Sequence, residues 1–72
     1  MKKSSVGKII SISDLNIKIL LNSDGVEIKD ILYYEDDNKN IHRFEVVEMN
    51  ADMALAIPFE SVNGVKKGID LY

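Results

Sequence analysis

Ile41-His42-Arg43-Phe44-Glu45-Val46-Val47-Glu48-Met49, the turn Asn50-Ala51-Asp52, and then Met53-Ala54-Leu55-Ala56-Ile57-Pro58 decide the fold of this chain. In the first run Phe44 and Val46 share one side, with Glu45, Val47 and Met49 on the other. That period of two belongs to a β-strand, whose successive side chains point to opposite faces. The second run alternates again, with Met53, Leu55 and Ile57 on one face and Ala54 and Ala56 on the other. Side chains as small as alanine let another backbone approach closely. Pro58 has no N–H for a ladder, so it ends or edges this strand. The same proline, with the alternation, argues against a short helix over residues 52–57.

Working outward, Val6 to Ser13 reads as a first strand with Ile10 and Ile12 on one face. Asn16 to Asn22 is a second, setting Ile17, Ile19 and Leu21 against Lys18 and Asn22. Only Asp14-Leu15 lies between them, which predicts a tight hairpin without the usual glycine. Ser23-Asp24-Gly25 is a turn, and Ile28 to Glu35, with apolar residues on both faces, reads as a third strand covered on both sides or as a bend between two strands. Asp36 to Asn40 is a polar turn. After Pro58, Asn63-Gly64 and Lys67-Gly68 are two turn signals, and Ile69 to Tyr72 a last short strand. Six short strands with turn signals every ~8–12 residues predict an all-β fold, a small six-stranded closed β-barrel. Closure also removes the edges that invite aggregation. Residues 1–5 are expected to form a flexible tail and 6–72 a single barrel domain. Gly7, Gly25, Gly64 and Gly68 are expected at turns.

The chain has 72 residues, 12 acidic and 9 basic, for a formal net charge of −3. A domain this small buries only about 60–65% of its unfolded surface, too little to surround a deep active site. With no cysteine there is no disulfide, thiolate metal site or cysteine nucleophile, which fits a reducing cytosol. No apolar run approaches the ~20 residues that span a bilayer, so no membrane insertion is expected. Lys2 and Lys3 resemble a signal-peptide n-region, but Val6-Gly7-Lys8 interrupts any apolar core behind them. A cytoplasmic location is the expectation.

Sequence signals for chemistry are sparse. Gly7-Lys8 is followed by Ile9 and preceded by no glycine-rich stretch, and Gly64 to Gly68 has no following Lys-Ser/Thr, so no P-loop is present. Asp36, Asn38 and Asn40 match positions one, three and five of a calcium loop, but Ile41 and Val47 stand where its glycine and bidentate glutamate belong. His42 is the only histidine, with Glu45 or carboxylates distant in the chain as its available partners. It reads as a residue on a strand face near the surface. Glu45, Glu48 and Asp52 read as polar strand faces, not a catalytic pair. No catalytic, cofactor-binding or metal-ligating residue is assigned. Lys8, Lys18, Lys29, Lys39, Arg43, Lys66 and Lys67 are scattered among acids, without the basic stripe and stacking aromatics of a nucleic-acid barrel.

Val6 to Ser13, Phe44 to Met49 with Ala54 to Phe59, and Ser61 to Asp70 together resemble the HerA–ATP synthase barrel. This is the N-terminal β-barrel of HerA-type hexameric DNA translocases and of rotary ATP synthase catalytic subunits. The resemblance runs from Val6 to Tyr72, and its strongest piece is the closing turn from Ser61 to Asp70. Arg43 to Glu48 and Ile57-Pro58-Phe59 look closer to the HerA type. The resemblance implies a non-catalytic module that precedes a RecA-like domain, packs beside its own copies in a ring and docks a partner protein. ATP and Mg²⁺ would then belong only to a downstream domain, and no active-site residue carries over to this chain. Val47, Met49, Ala54 and Ala56 are expected as the outer face for barrel-to-barrel packing. The isolated chain should self-associate weakly or not at all and should not bind ATP. The alternative is a free-standing barrel of the oligonucleotide-binding or SH3-like type that binds single-stranded nucleic acid. The acidic balance argues against direct nucleic-acid binding.

Overall fold

The computed structural model describes residues 4–60 and 62–72. It contains six strands: β1 (Gly7–Ile12), β2 (Ile17–Leu21), β3 (Ile31–Glu35), β4 (Ile41–Asn50), β5 (Met53–Pro58) and β6 (Asp70–Leu71). They lie in the order β3-β4-β5-β2-β1-β6, with every neighbouring pair antiparallel. The sheet curls until its two ends meet. There the Tyr33 N–H donates to the Tyr72 carbonyl at 3.1 Å and the Tyr72 N–H to the Tyr33 carbonyl at 2.9 Å. No strand ladder extends from that pair, so the molecule is a nearly closed all-β barrel with one unsealed seam. The start of the tail (residues 1–3) and Ser61 lie outside the described residues. Ser5 is tied to β1, its hydroxyl donating to the Gly7 carbonyl at 2.8 Å.

The interior is filled by one face of each strand. Ile9, Ile17, Ile19, Leu21, Leu32, Tyr34, Phe44, Val46, Ala54, Ala56 and Leu71 are buried together, joined by Val26 from the β2–β3 connection. Burying an isoleucine or phenylalanine fully stabilises the fold by about 1.5–3 kcal/mol, so this cluster holds the barrel. The β2 alternation stands as read: Ile17, Ile19 and Leu21 inside, Lys18 outside.

Two β-bulges bend the sheet. In β1 the register passes from Ile9↔Ile19 to Ser11↔Lys18, leaving Ile10 as the extra residue. In β4 it passes from Val46↔Ala56 to Glu48↔Leu55, leaving Val47 extra. A bulge adds one residue to one strand, increases its local bend and inverts the parity beyond it. Ile10 and Ile12 therefore do not share a face: Ile9 and Ile12 turn inward and Ile10 outward. Likewise Met49 packs against the core while Val47 points out.

The β1–β2 turn closes without glycine. The Ser13 hydroxyl donates to the Asn16 carbonyl at 3.0 Å, and the Ser13 N–H donates to the same carbonyl at 2.9 Å. β3 starts later than the apolar run predicts. Glu27 and Asp30 close a turn in which the Asp30 carboxylate accepts the Glu27 N–H at 2.8 Å, and Lys29 takes a φ of 80°. That turn leaves Ile28 exposed. Gly64 and Gly68 adopt φ of 85° and 88°, the left-handed conformation glycine reaches without strain. Gly25 sits in its turn as expected. Gly7 does not occupy a turn. It lies in β1 at a crossing so close that an added Cβ would stand 2.8 Å from Ile19 Cγ2 and 3.0 Å from the Leu20 carbonyl.

Candidate functional site

The unsealed seam opens into a cleft of about 810 Å³. Its walls are β3 with the start of the β3–β4 turn on one side, and the Gly64–Lys66 loop with β6 on the other. Tyr33, Tyr34 and Tyr72 supply aromatic surface, and Glu35, Asp36, Asp37 and Asp70 supply carboxylates. Among the described residues Lys66 is the one basic residue lining it. The Lys8 amine stands 3.8 Å from Asp70 on the β1 side.

Asp36 organises one wall. Its Oδ1 accepts the Asn38 N–H at 2.8 Å and the Asn40 N–H at 2.9 Å, and its backbone exchanges hydrogen bonds with Asn40 and Lys39 across the turn. Asx-type bonding of this kind makes a tight turn without glycine, and Lys39 takes the left-handed position at φ 70°. Oδ2 lies 2.9 Å from His42 Nε2. The His42 bond, then the Asn40 N–H, hold the Asp36 carboxyl below its usual range, with partial burial opposing them. The calcium-like spacing is thus absorbed by the turn itself. Among the described residues no three His, Cys, Asp or Glu side chains converge as metal ligands.

The β3–β4 register pairs Tyr34 with His42 and Leu32 with Phe44. The Tyr34 ring stacks on the His42 imidazole at 4.7 Å between centroids and 9° between planes, and lies 6.2 Å from Phe44. Only 6% of Tyr34 is exposed, and its hydroxyl is buried without a hydrogen-bond partner among the described residues. Burial, then the nearby Asp36 charge, push its phenol above the ordinary tyrosine value. The histidine therefore sits on a strand face as expected but partly buried, and its partner is Asp36 rather than Glu45. Hydrophobic periodicity carries no sign of this pair. The signal is an aspartate opening a five-residue polar turn and a histidine two residues past its end, which a hairpin brings together.

The outer wall over β2, β5, β4 and β3 is the other candidate. Ile57 and Ile31 flank Glu45 in one cross-strand row, and Leu55 lies between Lys18 and Glu48 in the next. Phe59 is exposed beside them, with the Arg43 guanidinium 5.8 Å from its ring centroid. Arg43 also faces Glu60 at 3.9 Å. This arrangement corrects the expected interface. Ala54 (3% exposed) and Ala56 (0%) face the core, opposite Ile19 and Ile17. Met49 joins them from β4, and of the four only Val47 (36%) lies outside. Small side chains are needed here because a barrel of six short strands has a narrow interior. Glu45, Glu48 and Asp52 do not converge: Glu48 alone of the three lines the shallow groove of about 280 Å³ beside Lys18 and Met53. A comparison with protein-family models finds no match, and no curated protein matches the chain.

Proposed function

We infer that this chain is a non-catalytic assembly module. It is the N-terminal barrel of a hexameric RecA-like ATPase, of the HerA–ATP synthase barrel kind, packing beside its own copies and docking a partner protein in the cytoplasm. The observation that carries the assembly reading is the outer wall, where Ile31 on β3 and Ile57 on β5 are exposed on either side of Glu45 of β4, with Phe59 exposed just beyond β5. Exposed apolar side chains grouped on one face, interleaved with charges such as Lys18, Arg43 and Glu45, are the mark of a surface that another protein covers. The ATPase identity rests on the sequence resemblance alone. On this reading ATP and Mg²⁺ are handled by a downstream domain.

A single barrel-to-barrel contact is small, so the isolated chain should self-associate weakly. Amide spectra recorded over rising protein concentration should show shifts at Ile31, Ile57 and Phe59, and Ile57→Lys should remove them. ATP turnover by the purified 72-residue chain would refute the reading. So would tight binding of single-stranded DNA that weakens steeply with salt, which is the behaviour of a nucleic-acid barrel.

A further inference from the structure

We propose that the seam cleft is a docking site for a short, extended, basic segment of a partner protein. This does not require the ring-packing part of the assembly reading, and it uses the seam between β3 and β6, not the outer face of β4 and β5.

Three features of the cleft point to the same occupant. The first is its backbone. Tyr33 and Tyr72 exchange both hydrogen bonds, and in that register the next rung joins Glu35 to Asp70. That rung is not formed, since β3 pairs only with β4, and β6 only with β1. The N–H and C=O groups of Glu35 and Asp70 that face the seam are free to accept an added strand, which a main chain uses and a small molecule does not. The second is charge. Four carboxylates (Glu35, Asp36, Asp37 and Asp70) line the opening, against Lys66 in the lining and Lys8 beside Asp70 among the described residues. An arginine or lysine side chain complements that surface and stacks on the tyrosine faces at its edge. The third is the Tyr34 hydroxyl. Tyr34 lines the cleft, 94% of the residue is buried, and its hydroxyl has no hydrogen-bond partner among the described residues. Native structures leave few such groups, and one beside a cleft is explained by a partner that arrives with the ligand.

Titration of the isotope-labelled chain with an acetylated, amidated hexapeptide that alternates valine with lysine and arginine tests this. The expected result is saturable shifts confined to the Glu35, Asp36 and Asp70 amides and the Tyr34 and Tyr72 rings. Binding should weaken as salt rises. Glu35→Gln combined with Asp37→Asn should lower affinity about tenfold, the effect of losing roughly one strong charged contact. Both residues are exposed, so the fold should survive. Tyr34→Phe, which keeps the stacked ring, should lower affinity by a smaller factor without disturbing amides on the far wall. Equal binding of a peptide with glutamate in place of the basic residues would overturn the proposal. Shifts spread evenly over the barrel would do the same. Spermidine binding as tightly as the peptide would also overturn it, since a simple cation site needs no strand.

Discussion

Removing one oxygen atom from Tyr34 should make this protein more stable. Tyr34→Phe leaves the ring between His42 and Phe44, where the planes lie 9° and 11° from parallel. What disappears is a buried hydroxyl with no partner among the described residues. Leaving such a group unsatisfied costs the folded state about 1–3 kcal/mol of desolvation. The vacated space is smaller than a methyl group, so the packing loss offsets only part of that, and a gain of about 1 kcal/mol is expected. In a chain of this size 1 kcal/mol raises Tm by about 4–8 °C. The pH profile provides a second reading. Because the folded-state phenol is raised above its ordinary value of 10.0, its neutral form is favoured in the native protein. That contribution is fully present below the unfolded value and is lost as pH rises through the folded one. Wild type should therefore lose stability above pH 10 more steeply than Tyr34→Phe. Urea denaturation at neutral and alkaline pH measures both effects. A Phe variant that is less stable by 1 kcal/mol or more would refute the reasoning, since the hydroxyl would then have to be satisfied in the free protein.

The opposite shift at Asp36 predicts the opposite limb. Its folded carboxyl lies below 3.8, so its stabilising effect is present above that value and is lost as the pH falls through the folded value; Asp36→Asn should flatten the acid side of the stability profile measured by urea denaturation. Gly7→Ala should cost about 1–3 kcal/mol by overpacking against Ile19 and the Leu20 carbonyl, whereas Gly25→Ala, whose nearest neighbour is Ser23 Oγ at 3.8 Å, should be neutral or slightly stabilising in the same assay. Ala56→Glu should unfold the barrel or cost several kcal/mol because it buries a charge, while Val47→Glu on the outer side of the bulge should stay within about 0.5 kcal/mol of wild type, read by thermal denaturation.

These substitutions separate what periodicity reveals from what it does not. Alternation in Ile17-Lys18-Ile19 and Met53-Ala54-Leu55-Ala56 identifies strands and tells which residues share a face. It does not tell which face is inside. For β5 the small side chains suit either a close outer contact or a narrow interior, and the curvature of the sheet decides for the interior. The bulges at Ile10 and Val47 are invisible for a different reason. Neither carries glycine, and each inserts an apolar residue into an apolar run, so the pattern looks unbroken while the facing flips. The Asp36–His42 pair depends on the β3–β4 register, which is set by the packing of Leu32, Tyr34 and Phe44 and not by the polar turn alone. The seam has no local signature at all: it exists because β6 is two residues long and meets β3 at one pair.

Why that pair does not continue can itself be tested. Two residues beyond Tyr33 and two before Tyr72 stand Glu35 and Asp70, both exposed, which in a continued antiparallel ladder would be directly opposed on the outer face. Like charges in that relation oppose pairing, whereas opposite charges favour it by roughly 0.2–1 kcal/mol. Lys8, 3.8 Å from Asp70 across β1, compensates from the wrong side to draw β3 closer. Glu35→Lys turns the rung into an attractive pair. It should slow hydrogen exchange at the amides of residues 35 and 70, raise stability by about 0.5–1 kcal/mol and abolish binding of the basic peptide, because the strand position is then filled by the barrel's own edge. Unchanged exchange at both amides would mean that charge does not hold the seam open. The cause would then lie in the backbone, where the Asp36 turn on one side and the Gly68 turn on the other bend the two edges apart.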